Sequence, residues 1–122
     1  MTARILTVDD SASVRMTTKI ALTNAGYSVT EAVDGAEGLS KAKSDSFDLV
    51  VTDLNMPNMN GLEMIEELRK SSAHTGLPII FLTTESDGGL KTRAKAAGAT
   101  GWMTKPFDPE QLVKIVRKVL GK

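Results

Sequence analysis

Three carboxylates, a hydroxyl and an ammonium stand directly behind short apolar runs of this sequence. Ile5-Leu6-Thr7-Val8 leads into Asp9-Asp10, Leu49-Val50-Val51-Thr52 into Asp53, and Ile79-Ile80-Phe81-Leu82 into Thr83-Thr84. A fourth, weaker run, Gly101-Trp102-Met103-Thr104, leads into Lys105-Pro106. If the ends of these runs meet in space, Asp9, Asp10 and Asp53 need a counter-charge. Two unit charges of like sign about 4 Å apart repel by about 4 kcal/mol at an effective dielectric near 20. The donors are all oxygen, with neither cysteine nor a suitably placed histidine, and a cluster that leaves several positions to water suits magnesium better than calcium or zinc. Lys105 adds a fixed positive charge, and Thr83 a hydroxyl. Such a set could neutralise and hydrogen-bond the three oxygens of a phosphoryl group, leaving one carboxylate as nucleophile.

The elements that must bring these residues together are readable from the pattern. Continuous Val- and Ile-rich runs separated by helix-like stretches indicate parallel strands buried on both faces. Parallel strands align their carboxyl ends along one edge, which is where open α/β sheets build their sites. Ser11 or Ser13 opens the first helix, and Gly26 suits its left-handed end. Ser28 to Ala32 forms the second strand, and Asp34 caps a helix with apolar positions Ala36, Leu39 and Ala42. The turn-rich segment Asn55-Met56-Pro57-Asn58-Met59-Asn60-Gly61 precedes a helix carrying Leu62, Ile65 and Leu68. Gly88-Gly89 opens a helix that stops at Ala97-Gly98, and Pro109 begins a last helix with Leu112, Ile115, Val116 and Val119 on one stripe. Five β-α units with right-handed crossovers predict an α/β fold, a doubly wound five-stranded parallel sheet flanked by five helices.

Length and composition narrow the class. The 122 residues suit a single domain, with no linker, repeat or low-complexity tract. No cysteine is present, so disulfides and thiolate chemistry are excluded. Met1-Thr2-Ala3-Arg4 runs straight into a strand without a signal-peptide apolar region, and no run reaches transmembrane length. The expectation is a soluble cytoplasmic protein without a membrane partner. Formal net charge is zero, against nonspecific nucleic-acid binding. The charge is nevertheless uneven: residues 1–88 hold 7 Lys/Arg and 13 Asp/Glu, whereas residues 89–122 hold 8 and 2. The basic C-terminal part is either a solvated surface or a face for an acidic partner.

Taken jointly, Asp9-Asp10, Asp53, Thr83 and Lys105-Pro106 resemble the receiver domain of two-component response regulators, in the flavodoxin-like, CheY-like fold. The resemblance covers residues 1–122 as one receiver domain of the stand-alone kind, without an effector domain. It implies that Asp53 is the phosphoacceptor and that Mg2+ is the cofactor. Asp10, Asp53 and the backbone carbonyl of Asn55 would bind the ion directly, and Asp9 mainly through water. It further implies that Thr83 and Lys105 contact the phosphoryl oxygens and that the Lys105-Pro106 bond is cis, a proline-only option. Thr83 and Trp102 would form the switch, with tryptophan where the family usually has Tyr or Phe. Asn55 and Glu85 would set the lifetime of the aspartyl phosphate. Lys91, Lys95, Trp102, Lys114 and Lys118 would contribute to the partner face. The implied partners are a histidine kinase as phosphodonor and a downstream target protein, such as the flagellar motor switch in chemotaxis, acting on a monomer. A relay intermediate or phosphate sink is the alternative role.

Other readings stay open at this level. Asp10 can serve as a helix cap, Thr83 as a strand former, Lys105 as a solvated lysine and Trp102 as core filling. His74 lies in a polar loop away from the strand ends and reads as a surface residue; Met56 and Met59 close off the loop around Pro57. A magnesium-dependent phosphatase of the haloacid dehalogenase kind also uses a strand-end aspartate, a threonine and a lysine. It needs a second carboxylate two residues after the nucleophile, where this chain has Asn55. A flavin carrier of similar architecture needs amides after the first strand, where this chain has carboxylates.

Overall fold

The computed structural model describes residues 3–54, 59–71, 76–83, 88–105 and 107–121, with the side chains of 88–91 left out. Strands and helices alternate along the chain: β1 Arg4–Val8, α1 Ala12–Asn24, β2 Ser28–Ala32, α2 Gly35–Ser44, β3 Leu49–Asp53, α3 Gly61–Arg69, β4 Ile79–Thr83, α4 Gly88–Ala96, β5 Gly101–Thr104 and α5 Pro109–Leu120. All strand pairs are parallel, in the order β2-β1-β3-β4-β5. The predicted doubly wound sheet is therefore the observed one.

The central strands β1, β3 and β4 are buried almost throughout, as their unbroken apolar runs require, while the edge strands β2 and β5 are only partly covered. Alternate residues feed two cores. Leu6, Val8, Val50, Ile79 and Phe81 pack with Ala42, Leu62, Met64, Ile65, Leu68 and Ala94, so α2, α3 and α4 cover one face. Ile5, Leu49, Val51, Ile80 and Leu82 pack with Leu22, Leu112 and Val116, so α1 and α5 cover the other.

Local signals set the helix ends. The Ser11 side chain caps α1 by accepting from the Val14 N–H, which settles the choice between Ser11 and Ser13. Asp34 caps α2, and Asn60 and Glu63 form a capping box on α3. Asp108 caps α5, whose first residue is Pro109. Gly26, at φ 99°, turns the chain out of α1 in the left-handed region.

The apolar stripe of α2 differs from expectation. Ala36 is exposed; the buried positions are Gly35, Gly38 and Ala42, with Leu39 half-buried. The cause is close approach rather than side-chain bulk. A Cβ at Gly38 would lie 2.8 Å from Val8 Cγ2 and 2.9 Å from Met64 Sδ, and one at Gly35 would strike the Met59 carbonyl. Glycine lets α2 sit against β1 and α3, so periodicity counted on larger apolar residues misses the contact face. Gly38→Ala is expected to destabilise the protein by about 1–2 kcal/mol, because overpacking against a central strand outweighs the helix propensity gained. Gly76, whose Cβ would meet nothing within 4 Å, is the control. Urea unfolding of Gly38→Ala and Gly76→Ala reads the difference.

Candidate functional site

The sheet order reverses between β1 and β3, and the carboxyl ends of these two strands carry the acids. Asp53 is the last residue of β3, while Asp9 and Asp10 follow β1. One oxygen from each of the three carboxylates lies within 4.8 Å of the others, although 44 positions separate Asp9 from Asp53. Asp9 is 4 % exposed and Asp53 8 %, whereas Asp10 is exposed at the mouth. Asp10 is not the helix cap, since Ser11 fills that role.

Backbone contacts fix the acids from behind. The Asp9 N–H donates to Ala32 O at 3.1 Å, and Asp9 Oδ1 accepts the Ser11 N–H at 2.8 Å. Asp53 Oδ1 accepts the Leu54 N–H at 2.8 Å, which directs Oδ2 to the open side. The Gly61 N–H donates to Leu54 O at 2.9 Å, and a Cβ at Gly61 would lie 2.2 Å from Asp53 O. Gly61 thus allows α3 to start against the backbone that carries Asp53. Sequence reading took Gly61 as a turn former; only its closeness to Asp53 gives it a part in the site.

Lys105 supplies the counter-charge. Its Nζ lies 2.8 Å from Asp9 Oδ2 and 3.4 Å from Asp53 Oδ2, with the lysine side chain only 13 % exposed. Its own N–H donates to Thr83 O at 2.7 Å, so the ends of β4 and β5 are tied together at the site. Thr83 is fully buried at the end of β4. Burial, and next the Asp9 charge, push the Asp53 carboxyl above its ordinary range, while Lys105 and the Leu54 N–H oppose that rise.

The donor set fits magnesium. Ligand oxygens on one octahedral Mg2+ lie about 2.9 to 4.1 Å apart, given metal–oxygen distances of about 2.05 Å. The acid cluster, spread over at most 4.8 Å, is only slightly wider than such a set.

Trp102 on β5 is half-buried and packs on Phe81, with ring centroids 6.0 Å apart and planes at 59°. It borders a hollow of about 540 Å³ between α4 and β5, lined also by Thr92, Ala94, Lys95, Ala99 and Thr100. Lys95, Lys114 and Lys118 are exposed. Asn55, Met56, His74, Glu85 and Pro106, and the Lys91 side chain, lie outside the described residues, and with them the expectations for Asn55, Glu85 and the Lys105-Pro106 bond. The site also holds a residue that sequence reading passed over, Arg15, whose Nη1 donates to Asp9 O at 2.5 Å.

Comparison with known proteins shows the family. Residues 5–117 match the response regulator receiver domain family. The chain is 41% identical over 119 residues to the probable transcriptional regulator ycf27 of Porphyridium aerugineum, covering 98% of this chain and 48% of that protein. It thus spans about half the length of the curated relatives it matches. Among solved structures, the chemotaxis response regulator CheY4 of Vibrio cholerae is 44% identical with a TM-score of 0.92, covering 98% of this chain and 99% of CheY4. The receiver domain of sensor histidine kinase PA1611 from Pseudomonas aeruginosa, solved with a magnesium ion in its active site cleft, is 26% identical with a TM-score of 0.91 over the full length of both chains. The chain belongs to the response regulator receiver domain family, whose members are phospho-accepting signalling modules of two-component systems rather than classical enzymes. That membership replaces the phosphatase and flavin-carrier readings.

The raised Asp53 ionisation has a consequence for stability. A carboxyl whose folded value lies above its unfolded one stabilises the fold fully below the unfolded value, and that contribution is lost as pH rises through the folded value. An asparagine in its place never ionises, so Asp53→Asn is expected to raise Tm at neutral pH in EDTA. The gain should shrink as pH falls beneath the ordinary carboxylate range, and paired thermal melts at both pH values measure it.

Proposed function

We propose that this domain is a phosphorylation switch in which Asp53 accepts a phosphoryl group from a histidine kinase and the α4–β5–α5 face then changes its affinity for a target. The observation that carries this reading is the convergence of Asp9, Asp10 and Asp53 with Lys105 Nζ inside the cluster. Asp53 Oδ2 attacks the phosphorus of the phosphohistidine. A P–O bond forms as the P–N bond breaks, and the electron pair leaves with the imidazole. Asp9, Asp10, Asp53 and the carbonyl of Asn55 would hold Mg2+, which when bound supplies charge neutralisation at the phosphoryl oxygens. Lys105, with three N–H donors, and the Thr83 hydroxyl take the remaining charge. Water later attacks the phosphorus, releasing phosphate and restoring the carboxylate, at a rate tuned by Asn55 and Glu85.

The Lys105 N–H to Thr83 O bond gives the switch its mechanical link. A shift of Thr83 toward the phosphoryl oxygens displaces the ends of both β4 and β5. Trp102, packed on Phe81 one strand away, then redistributes between two packings. The partner face comprises Lys91, Lys95, Trp102, Lys114 and Lys118. The 44% identity to the chemotaxis response regulator CheY4 supports motility control, with the flagellar motor switch as target and the cytoplasm as location. The magnesium in the PA1611 receiver domain supports the same cofactor here.

Acetyl phosphate with Mg2+ is expected to add one base-labile phosphoryl group, seen by intact-mass spectrometry, and Asp53→Asn should abolish it. Phosphate on His74 or a serine would overturn the mechanism. For the output, beryllofluoride with Mg2+ should change Trp102 emission and raise affinity for the motor switch protein. Reversing charge at Lys95 and Lys118 should weaken that binding several-fold in a salt-sensitive way while leaving Asp53 phosphorylation intact.

A further inference from the structure

Asp10 is the exposed member of the acid cluster, and among the described residues its carboxylate is held by no hydrogen bond of its own. Its position follows from the backbone, and one side chain grips that backbone. Arg15, on the first turns of α1, reaches back so that Nη1 donates to the Asp9 carbonyl at 2.5 Å. That carbonyl belongs to the peptide joining Asp9 to Asp10, so the contact fixes the peptide plane from which the Asp10 side chain departs. Arg15 is itself anchored: Nε lies 3.5 Å from Glu31 Oε1, with the arginine side chain 16 % exposed. Glu31 sits on edge strand β2, opposite Thr7 of β1, and its other oxygen lies 3.6 Å from Lys19 Nζ. The Asp9 N–H also donates to this strand, at Ala32 O.

We propose that Arg15 is a positioning residue for the magnesium site: by holding the Asp9 carbonyl, with Glu31 as its anchor, it aims the Asp10 carboxylate at the ion. The proposal rests on the magnesium reading above and deepens it. It also reverses the sign that electrostatics alone would give. A guanidinium beside an acid cluster repels a divalent cation, so removing its charge should tighten binding if charge were its only effect. If positioning governs, removal loosens binding, because carboxylates oriented from behind lose about tenfold or more in metal affinity when the orienting group goes.

The test is Mg2+ titration by calorimetry, together with the Mg2+-dependent rise in Tm above an EDTA baseline, on the wild type and on Arg15→Met, Arg15→Lys and Glu31→Gln. Methionine keeps the packing of the stem without donor or charge, and lysine keeps both. Arg15→Met is expected to weaken Mg2+ about tenfold and to reduce the Tm increment, while Arg15→Lys recovers most of the affinity. Glu31→Gln should weaken binding less, and should add nothing in the Arg15→Met background, because its effect passes through Arg15. Wild-type binding with equal or tighter binding by Arg15→Met overturns the role of Arg15 alone. No binding by the wild type removes the magnesium site and this proposal together. If Arg15→Met does not fold in EDTA, Glu31→Gln decides: an affinity identical to wild type overturns the proposal, and a weakened one upholds it.

Discussion

Mutual repulsion among carboxylates at one sheet edge is the constraint that organises this domain. In the unfolded chain the acids are solvated and Asp53 is far from the other two; folded, the three share a space in which one oxygen of each lies within 4.8 Å. The fold tolerates this because Lys105 stands between Asp9 and Asp53, and because the Ser11 and Leu54 N–H groups meet the inner carboxylate oxygens. Those contacts offset the repulsion without abolishing it: burial, and next the Asp9 charge, still hold the Asp53 carboxyl above its ordinary range. The residual repulsion is what a bound cation would relieve, whereas a phosphoryl group, itself anionic, would need that cation and Lys105 beside it. Ligand sensitivity is thus a property of how the sheet is assembled.

The remaining architecture serves that edge. Parallel strands put the acids, Thr83 and Lys105 at the same level, and the reversal of strand order between β1 and β3 opens the crevice they line. Helices on both faces make the central strands unable to shift independently. In the proposed switch a disturbance at Thr83 would travel along β4 and β5, whose ends are joined through Lys105, toward the Trp102 side.

Much of this was legible in the sequence, for a definite reason. Asp9, Asp53, Thr83 and Lys105 follow apolar runs, and in a parallel sheet that single fact places them together. Capping side chains such as Ser11 and Asp34 announce helix starts because they act within three residues. What stayed hidden depends on contacts between segments distant in sequence. Arg15 reads as an ordinary helical charge until its reach back to the Asp9 carbonyl is visible. Gly61 reads as a turn former until the Asp53 backbone is seen against it. The α2 stripe was misplaced at Ala36 because the buried face uses Gly35 and Gly38, residues that carry no hydrophobic signal.

The Asp9–Lys105 pair joins positions 96 residues apart. During synthesis the acids of β1 and β3 emerge well before the lysine that balances them, and chain elongation adds only about 5–20 residues per second. For those seconds the acids of β1 and β3 have no closing cation from β5. A nascent or prematurely terminated chain lacking β5 cannot bring Lys105 to Asp9 and Asp53. Closure of the charge cluster is in this sense a certificate of complete folding: only a chain whose last strand has docked on the sheet sets Lys105 against Asp9 and Asp53.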